Sequence, residues 1–324
     1  MKPIALDAMG GDHAPVETVA GAVDAASAGA EVVLVGDEVV LERHLHEIGA
    51  DLPIVHAPEV VEMGEDPARA IREKPDSSIV TCARLARTGE VAGFVSAGST
   101  GAAMAAAAIV LGRVPGVLRP TIASVIPKPT GHTVVLDSGA NPEVKPEHLV
   151  QFAEMGSVLS EVYFSIDHPR VGLLSIGEER GKGRALEKEA YALLEQAPIS
   201  FIGNVEGRDI GGALVDVIVT DGFTGNVVLK TVEGVAAMVA GMVLEALAGT
   251  AESTAAEALT ALEPVRGRLD YENTGGAHLL GAASVVVIAH GSSSRRSIRN
   301  AIAMAGEGAN HGLVERIRQR IAAG

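Results

Sequence analysis

What most restricts the fold of this chain is a recurring junction, in which a short apolar run stops at a glycine-rich turn. LDAMGGDHAP (Leu6–Pro15) follows the first run, and SAGSTGA (Ser96–Ala102) follows VAGFV. LDSGAN (Leu136–Asn141) follows HTVV, TDGFTGN (Thr220–Asn226) follows LVDVIV, and AHGSSS (Ala289–Ser294) follows SVVVI. Glycine admits positive φ and lets the backbone approach a ligand closely. A helix opening after such a turn aims unpaired N–H groups and a positive dipole end at an anion. One such loop says little, but several at strand ends point to an α/β enzyme with a phosphate-bearing substrate.

The runs expected as strands are Ile4–Asp7, Glu31–Gly36, Pro53–His56, Val91–Val95, Ile122–Ile126, Thr133–Asp137, Val171–Ser175, Ile199–Ile202, Val215–Thr220 and Val285–Ala289. Helical patterns separate most of them: Pro15–Ala28, Glu38–Ile48, Ser77–Arg87, Gly101–Leu111, Pro146–Ser160 and Arg184–Gln196. This alternation predicts a helix-covered, mainly parallel sheet, whose ligands collect at the carboxyl ends of its strands. Residues 1–324 read as one catalytic α/β unit, or as two subdomains around a cleft.

Residues 226–268 break the alternation and read as a helical hairpin. Its first helix, Asn226–Ala248, is apolar on most faces, with Lys230, Glu233 and Glu245 as its main charges. The second carries Ala255, Ala258, Leu259 and Leu262 at helical spacing. AGTAEST forms the hinge, with Ser253 or Thr254 as N-cap. Surplus apolar surface on such a hairpin suits a dimer interface, a partner or a membrane surface.

Composition removes several function classes. Aromatic residues make up 2% of the chain, too few for a base-stacking surface, and the net charge of −15 argues against a nucleic-acid binder. A lone cysteine, Cys82 in TCARLAR, excludes a disulfide framework and a cysteine zinc cluster and reads as a packed thiol. The start enters a strand directly, without a signal peptide, and the weakly charged stretch Val235–Gly249 falls short of the ~20 residues of a membrane span. A cytoplasmic protein is expected. No G-x-G-x-x-G follows a strand; in GEERGKG, Gly183 stands after Lys182 where a P-loop has Ser or Thr; and GSTGA is not a nucleophile elbow. No cofactor or metal is expected.

Taken in order, the turns resemble the bacterial phosphate acyltransferases, which move an acyl group from acyl carrier protein to inorganic phosphate. The matching blocks are DAMGGDHAP, SAGSTGA, LDSGAN, GLLSIGEERGKG, GNVEGRDI, VTDGFTGNVVLKTVEG, GGAHLLG and HGSS, which cover nearly the whole chain. Ser99 replaces an asparagine of the family pattern, Ser138 stands where a small apolar residue is commoner, and YENT precedes GGA. The resemblance implies a fold similar to phosphate acetyltransferase and the isocitrate and isopropylmalate dehydrogenases, and a homodimer. It also implies an acyl phosphate product passed to a membrane glycerol-3-phosphate acyltransferase in phospholipid synthesis, with peripheral contact at the inner face of the cell membrane.

Attack of a phosphate oxygen on a thioester needs phosphate held and aligned and the tetrahedral oxyanion stabilised, without a covalent enzyme intermediate. For phosphate, the candidates are Ser99, Thr100 and Gly101 at a helix start, and Gly10 and Gly11. His13 is a phosphate donor, an acid for the departing thiolate, or a cap of the following helix, and Asp7 and Asp12 orient it or hold the turn. Lys182 and Arg184 lie in a glycine-flanked loop able to close over an anion, or on solvated surface. Asp221, Thr224 and Asn226 hold a turn, and Lys230 lies one helical turn beyond Asn226 on the same face. Asn204, with Glu206 and Arg208, reads as a loop near the pocket or a structural ion pair, and His290 after its strand should face the same crevice. His13, Asn226, Lys230 and His290 are the catalytic candidates. An acidic carrier protein needs a basic dock: Arg295, Arg296 and Arg299 form one cluster, and Arg316, Arg318 and Arg320 another. Two alternatives stay open, a phosphate acetyl- or butyryltransferase using acyl-coenzyme A and a non-catalytic membrane-associated scaffold.

Overall fold

The computed structural model describes residues 2–248, 252–269 and 271–323. The first half alternates as expected through β1 (Ile4–Asp7), α1 (Val16–Ser27), β2 (Val32–Gly36), α2 (Glu38–Glu47) and β3 (Ile54–His56). It continues through α3 (Pro67–Glu73), α4 (Ser78–Thr88), β4 (Gly93–Ser96) and α5 (Thr100–Ala106), the last extended by a π turn over Ala107–Leu111. Local chemistry sets these boundaries. The Asp37 carboxylate accepts the Val40 amide at 3.0 Å to start α2, Asp66 accepts Arg69 at 2.8 Å to start α3, and Gly89 at φ 73° ends α4.

A hairpin of β5 (Thr121–Lys128) and β6 (Gly131–Leu136) leads into α6 (Pro146–Phe164), β7 (Arg170–Leu174), α7 (Ala185–Leu194), β8 (Ser200–Val205) and β9 (Val217–Val219). Then come α8 (Gly222–Ala248), α9 (Glu252–Leu269), α10 (Tyr271–Thr274), β10 (Ala277–Leu280), β11 (Val285–Ile288), α11 (Arg295–Asn310) and α12 (Leu313–Ala323).

The strands form one eleven-stranded sheet in the order β3-β2-β1-β4-β11-β10-β5-β6-β9-β7-β8. Both blocks flanking the centre are parallel, and three antiparallel pairings separate them: β11 with β10, β10 with β5, and β5 with β6. Three reversals invert the strand direction, so the carboxyl ends of β6, β9 and β7 point opposite to those of β1, β4 and β11. The glycine turns lie at the carboxyl ends of their strands, as expected. They come from two edges and meet across the face of β5.

Each block is covered on both faces. Leu6, Leu34, Val95 and Val287 pack under α1 and α11, while Ala5, Val35, Phe94 and Val286 pack under α4 and α5. In the other block, Leu136, Leu173 and Val219 meet α6, and Val135, Ile218 and Val205 meet Val228 and Val232 of α8. Cys82 is fully buried in the first core, as a packed thiol.

Several expectations change. β10 was not expected, and its four residues hide a strand because buried His278 interrupts the apolar run. α8 starts at Gly222 rather than Asn226, so much of TDGFTGN is helix. α9 begins at Glu252, which puts Ser253 and Thr254 inside it rather than at a cap; hinge residues 249–251 lie outside the described residues. At 27 residues, with a window of mean hydropathy 1.8, α8 is long and apolar enough to cross a membrane by length and composition. The shorter stretch from Val235 had understated it.

Candidate functional site

A cleft of about 500 Å³ opens over β5 between the two parallel blocks. One rim carries Gly98 and Thr100 from the turn after β4, with His290 and Gly291 from the turn after β11. The other carries Ser138 and Gly139 from the turn after β6, with Asn226, Lys230 and Glu233 from the first turns of α8. Ser124 of β5 forms the floor, and Arg268, Thr274 and Gly275 close one end.

Buried carboxyls hold the loops that build these rims. Asp137 is fully buried and accepts the amides of Gly139 (3.1 Å), Ala140 (2.8 Å) and Asn141 (2.7 Å), and the Asn141 side-chain amide at 2.7 Å. The loop after β6 is thus wound around one carboxyl, which burial pushes up in pKa against those hydrogen bonds. Asp7, at the end of β1, accepts the Ser96 hydroxyl at 2.7 Å, and burial raises its pKa as well. The Met9 and Gly10 amides also bond its carboxylate, so of the two roles the sequence offered, orienting His13 or holding the turn, Asp7 takes the second.

The start of α8 is locked onto the loop after β6. A Cβ built on Gly225 would lie 1.8 Å from the Asp137 carbonyl oxygen, and one on Gly222 would lie 2.7 Å from that of Asn141. Only glycine permits this approach, which places Asn226 beside Gly139. Asp221 begins the helix, accepting the Thr224 amide at 2.8 Å and its hydroxyl at 2.9 Å, and pairs with Arg184. Burial opposes ionisation of Asp221, but Thr224 and Arg184 carry its carboxyl below the usual range. Arg184 also bonds Glu187 at 2.9 Å, and the two acids hold its guanidinium above the ordinary value.

The sequence candidates therefore separate. Thr100, Asn226, Lys230 and His290 line the cleft. Ser99 caps α5, its hydroxyl accepting the Ala102 amide at 3.5 Å. A Cβ on Gly101 would meet Pro67 at 2.6 Å, so that glycine serves packing against α3. Gly10 and Gly11 lie behind the rim: a Cβ on Gly10 would meet Asp7 at 2.5 Å, Gly11 has φ +118°, and the next amide, of Asp12, donates to the Gly291 carbonyl at 2.8 Å.

His13 is exposed ahead of α1, outside the cleft lining, and its backbone carbonyl accepts the Glu17 amide of the first turn at 3.1 Å. Lys182 lies 4.0 Å from Glu179 and, like Arg184, Asp221 and Thr224, does not line the cleft. Asn204 is buried and donates to the Glu179 carbonyl at 2.9 Å, pinning the loop that carries Lys182, and Arg208 pairs with Glu178 at 3.0 Å. In the basic cluster Arg295 pairs with Asp24 at 2.6 Å and Arg296 with Glu272 at 2.7 Å, while Arg299 follows one turn later on α11. Arg318 and Arg320 of the second cluster pair with Glu315 and Glu161.

The sequence missed Ser124, whose hydroxyl lies 2.7 Å from that of Ser138. A serine inside a strand carries no local signal, although Ser138 stood out as unusual. The Ser138 hydroxyl also donates to the Ile122 carbonyl at 3.1 Å, and that of Ser297 to the Gly275 carbonyl at 3.3 Å. These cleft hydroxyls are tied to one another or to backbone rather than to a base. His290 Nδ1 lies 2.9 Å from the Ser292 hydroxyl, a bond within one turn, and Ser292 does not line the cleft. The cleft therefore offers hydroxyls, an amide, a helix start and an ammonium group around a central space, which suits an oxyanion better than a covalent nucleophile.

Residues 2–316 match the family model described as fatty acid synthesis protein. The chain is 49% identical over 323 residues to the phosphate acyltransferase of Pelotomaculum thermopropionicum, covering 98% of this chain and 94% of the relative. Its fold is similar to a phosphotransacetylase from Streptococcus pyogenes, with TM-score 0.64 at 18% identity over 97% of this chain and 94% of that one. It is also similar to a 4-hydroxythreonine-4-phosphate dehydrogenase from Klebsiella pneumoniae, with TM-score 0.57 at 15% identity, covering 95% and 98%.

Proposed function

Because the chain belongs to the phosphate acyltransferase family and is an acyltransferase, we propose that it transfers a fatty acyl group from acyl carrier protein thioester directly to inorganic phosphate. The observation that carries this reading is the convergence of Thr100, Asn226, Lys230 and His290 from opposite edges of the sheet on one cleft whose serines are not paired with a base.

Phosphate near neutral pH is already substantially dianionic and needs no strong base. In this reading the start of α5 with the Thr100 hydroxyl, and the Lys230 ammonium opposite, hold the phosphate and aim one oxygen at the thioester carbonyl. The Asn226 amide donates to the oxyanion as the carbonyl carbon becomes tetrahedral. The oxyanion then collapses, the carbon–sulfur bond breaks, and the electron pair leaves on the carrier thiolate, to which His290 delivers a proton. The products are acyl phosphate and free carrier thiol, and the acyl phosphate supplies a membrane glycerol-3-phosphate acyltransferase. His13, exposed outside the cleft, is left for contacts with the incoming carrier, whose dock includes Arg299.

The α8–α9 hairpin exposes Val235, Met238, Val239, Met242 and Leu244. A second copy of the chain covers part of this surface in a homodimer, and the inner face of the cell membrane takes the rest.

The test mixes protein, hexadecanoyl carrier thioester and phosphate, and follows thiol release together with acyl phosphate. Phosphate-dependent formation of both supports the reading. Turnover with a coenzyme A thioester alone moves the protein to the acetyl- or butyryltransferase reading. Turnover with neither leaves the scaffold.

A further inference from the structure

A second cavity, of about 640 Å³, lies between α6 and α11 on the sheet face away from Ser124. It meets the cleft edge to edge, because Val125, Pro127, Arg268 and Thr274 line both. The sheet itself provides the passage. Among the described residues β10 pairs with β5 only as far as Ala123, and Val125 and Pro127, beyond that point on β5, line both cavities together with Arg268 and Thr274. A flexible chain entering from the cleft can cross the sheet there.

We infer that the groove between α6 and α11 takes the hydrocarbon tail of a long-chain acyl substrate whose thioester lies in the cleft. This inference rests on the acyl-transfer reading and adds where the tail goes.

The walls suit an alkyl chain. Val125 and Pro127 floor the groove, Leu159 and Phe164 come from α6, and Ala303 and Met304 from α11. Several polar groups that share the wall are tied to backbone, Lys128 to the Val215 carbonyl at 2.6 Å, Arg268 to that of Pro129 at 3.2 Å and Asn300 to that of Glu272 at 2.9 Å. The Tyr163 hydroxyl donates to the Met304 carbonyl at 2.7 Å and lies 2.7 Å from His278 Nε2. Burial drives the His278 pKa down to about 4, so the imidazole is neutral and presents no charge to the tail. A lipid tail thus finds an apolar strip, Val125, Pro127, Leu159, Phe164 and Met304, that continues from the reacting end, with Lys128 and Arg268 held to backbone beside it and Glu307 at the far, solvent-facing end. Each methylene removed from water strengthens binding by about four-fold, so a groove of this kind discriminates by chain length.

The experiment uses the full chain with hexadecanoyl and butanoyl thioesters. Ala303 is exposed on α11, and Ala303→Trp fills the groove without entering the core. The expected result is at least a ten-fold fall in the preference for hexadecanoyl over butanoyl substrate; an unchanged preference overturns the inference. A hexadecanoate bearing a diazirine on its terminal carbon gives a reading that needs neither turnover nor a folded variant. Label in 159–164 or 303–304 supports the groove, and label confined to 229–236 of α8 overturns it. Failure of the wild type to turn over any thioester defeats the transfer reading instead, and the label still decides where the tail lies.

Discussion

Gly225→Ala is the substitution for which local and tertiary reasoning disagree in sign. Gly225 lies in the first turns of α8, where alanine is favoured over glycine by about 1 kcal/mol in a helix. The added Cβ, however, would sit 1.8 Å from the Asp137 carbonyl oxygen, 2.8 Å from its carbon and 3.2 Å from Thr220 Cγ2. The nearest atoms are backbone, and Asp137 is itself wound into the loop after β6, so no rotamer change relieves the clash. Overpacking of this kind costs about 3 kcal/mol, which leaves a net loss of about 2 kcal/mol after the propensity gain. Relief requires α8 to move away from Gly139, carrying Asn226 and Lys230 with it. Thermal unfolding should show a midpoint lower by roughly 3 °C, together with at least a ten-fold loss of kcat/KM. Gly234→Ala is the control, since its Cβ meets nothing within 4 Å outside its own helix, and it should stabilise slightly. A Gly225→Ala protein as stable and as active as wild type would refute the proposed lock between α8 and the loop after β6.

Lys230→Met should raise the KM for phosphate by about ten-fold, the lower end of a charge-assisted hydrogen bond because the ammonium is half exposed. Its ion pair with Glu233 at 2.7 Å is worth little on the surface, so the melting temperature should hold. Arg184→Ala should destabilise by about 2 kcal/mol, because it leaves the buried carboxylates of Glu187 and Asp221 without their cation, as read by urea unfolding. His278→Gln tests the buried imidazole. With a folded pKa near 4 against about 6.5 unfolded, the unfolded state binds the extra proton between those values, so stability falls as pH drops through that window. The variant should flatten this part of the pH–Tm curve; an unchanged slope would assign it to other groups.

Much of the architecture was legible because its strands are apolar runs between helical patterns, as in β1, β2, β6 and β11. What was not legible is nonlocal. Nothing in Ala277–Leu280 announces that this strand runs antiparallel to both neighbours, yet that reversal decides which turns face each other. The glycine signal was read as close approach to a ligand, and at two positions the structure shows a close approach within the protein: a Cβ on Gly101 would meet Pro67 and one on Gly10 would meet Asp7. Arg184 and Asn204 carry the polar chemistry of an anion site, but their partners, far apart in sequence, are Asp221 and the Glu179 carbonyl. That Asn226 and Lys230 would share a face was legible because both lie on one helix, where spacing alone carries the information.

The central claim is direct transfer to phosphate with no acyl-enzyme. It is tested most directly by incubating the protein with excess hexadecanoyl carrier thioester in phosphate-free buffer, quenching in acid and measuring the intact protein mass. The account predicts an unmodified chain and no burst of thiol, with release beginning only when phosphate is added. A chain heavier by one acyl group, formed with stoichiometric thiol before phosphate is present, would contradict it.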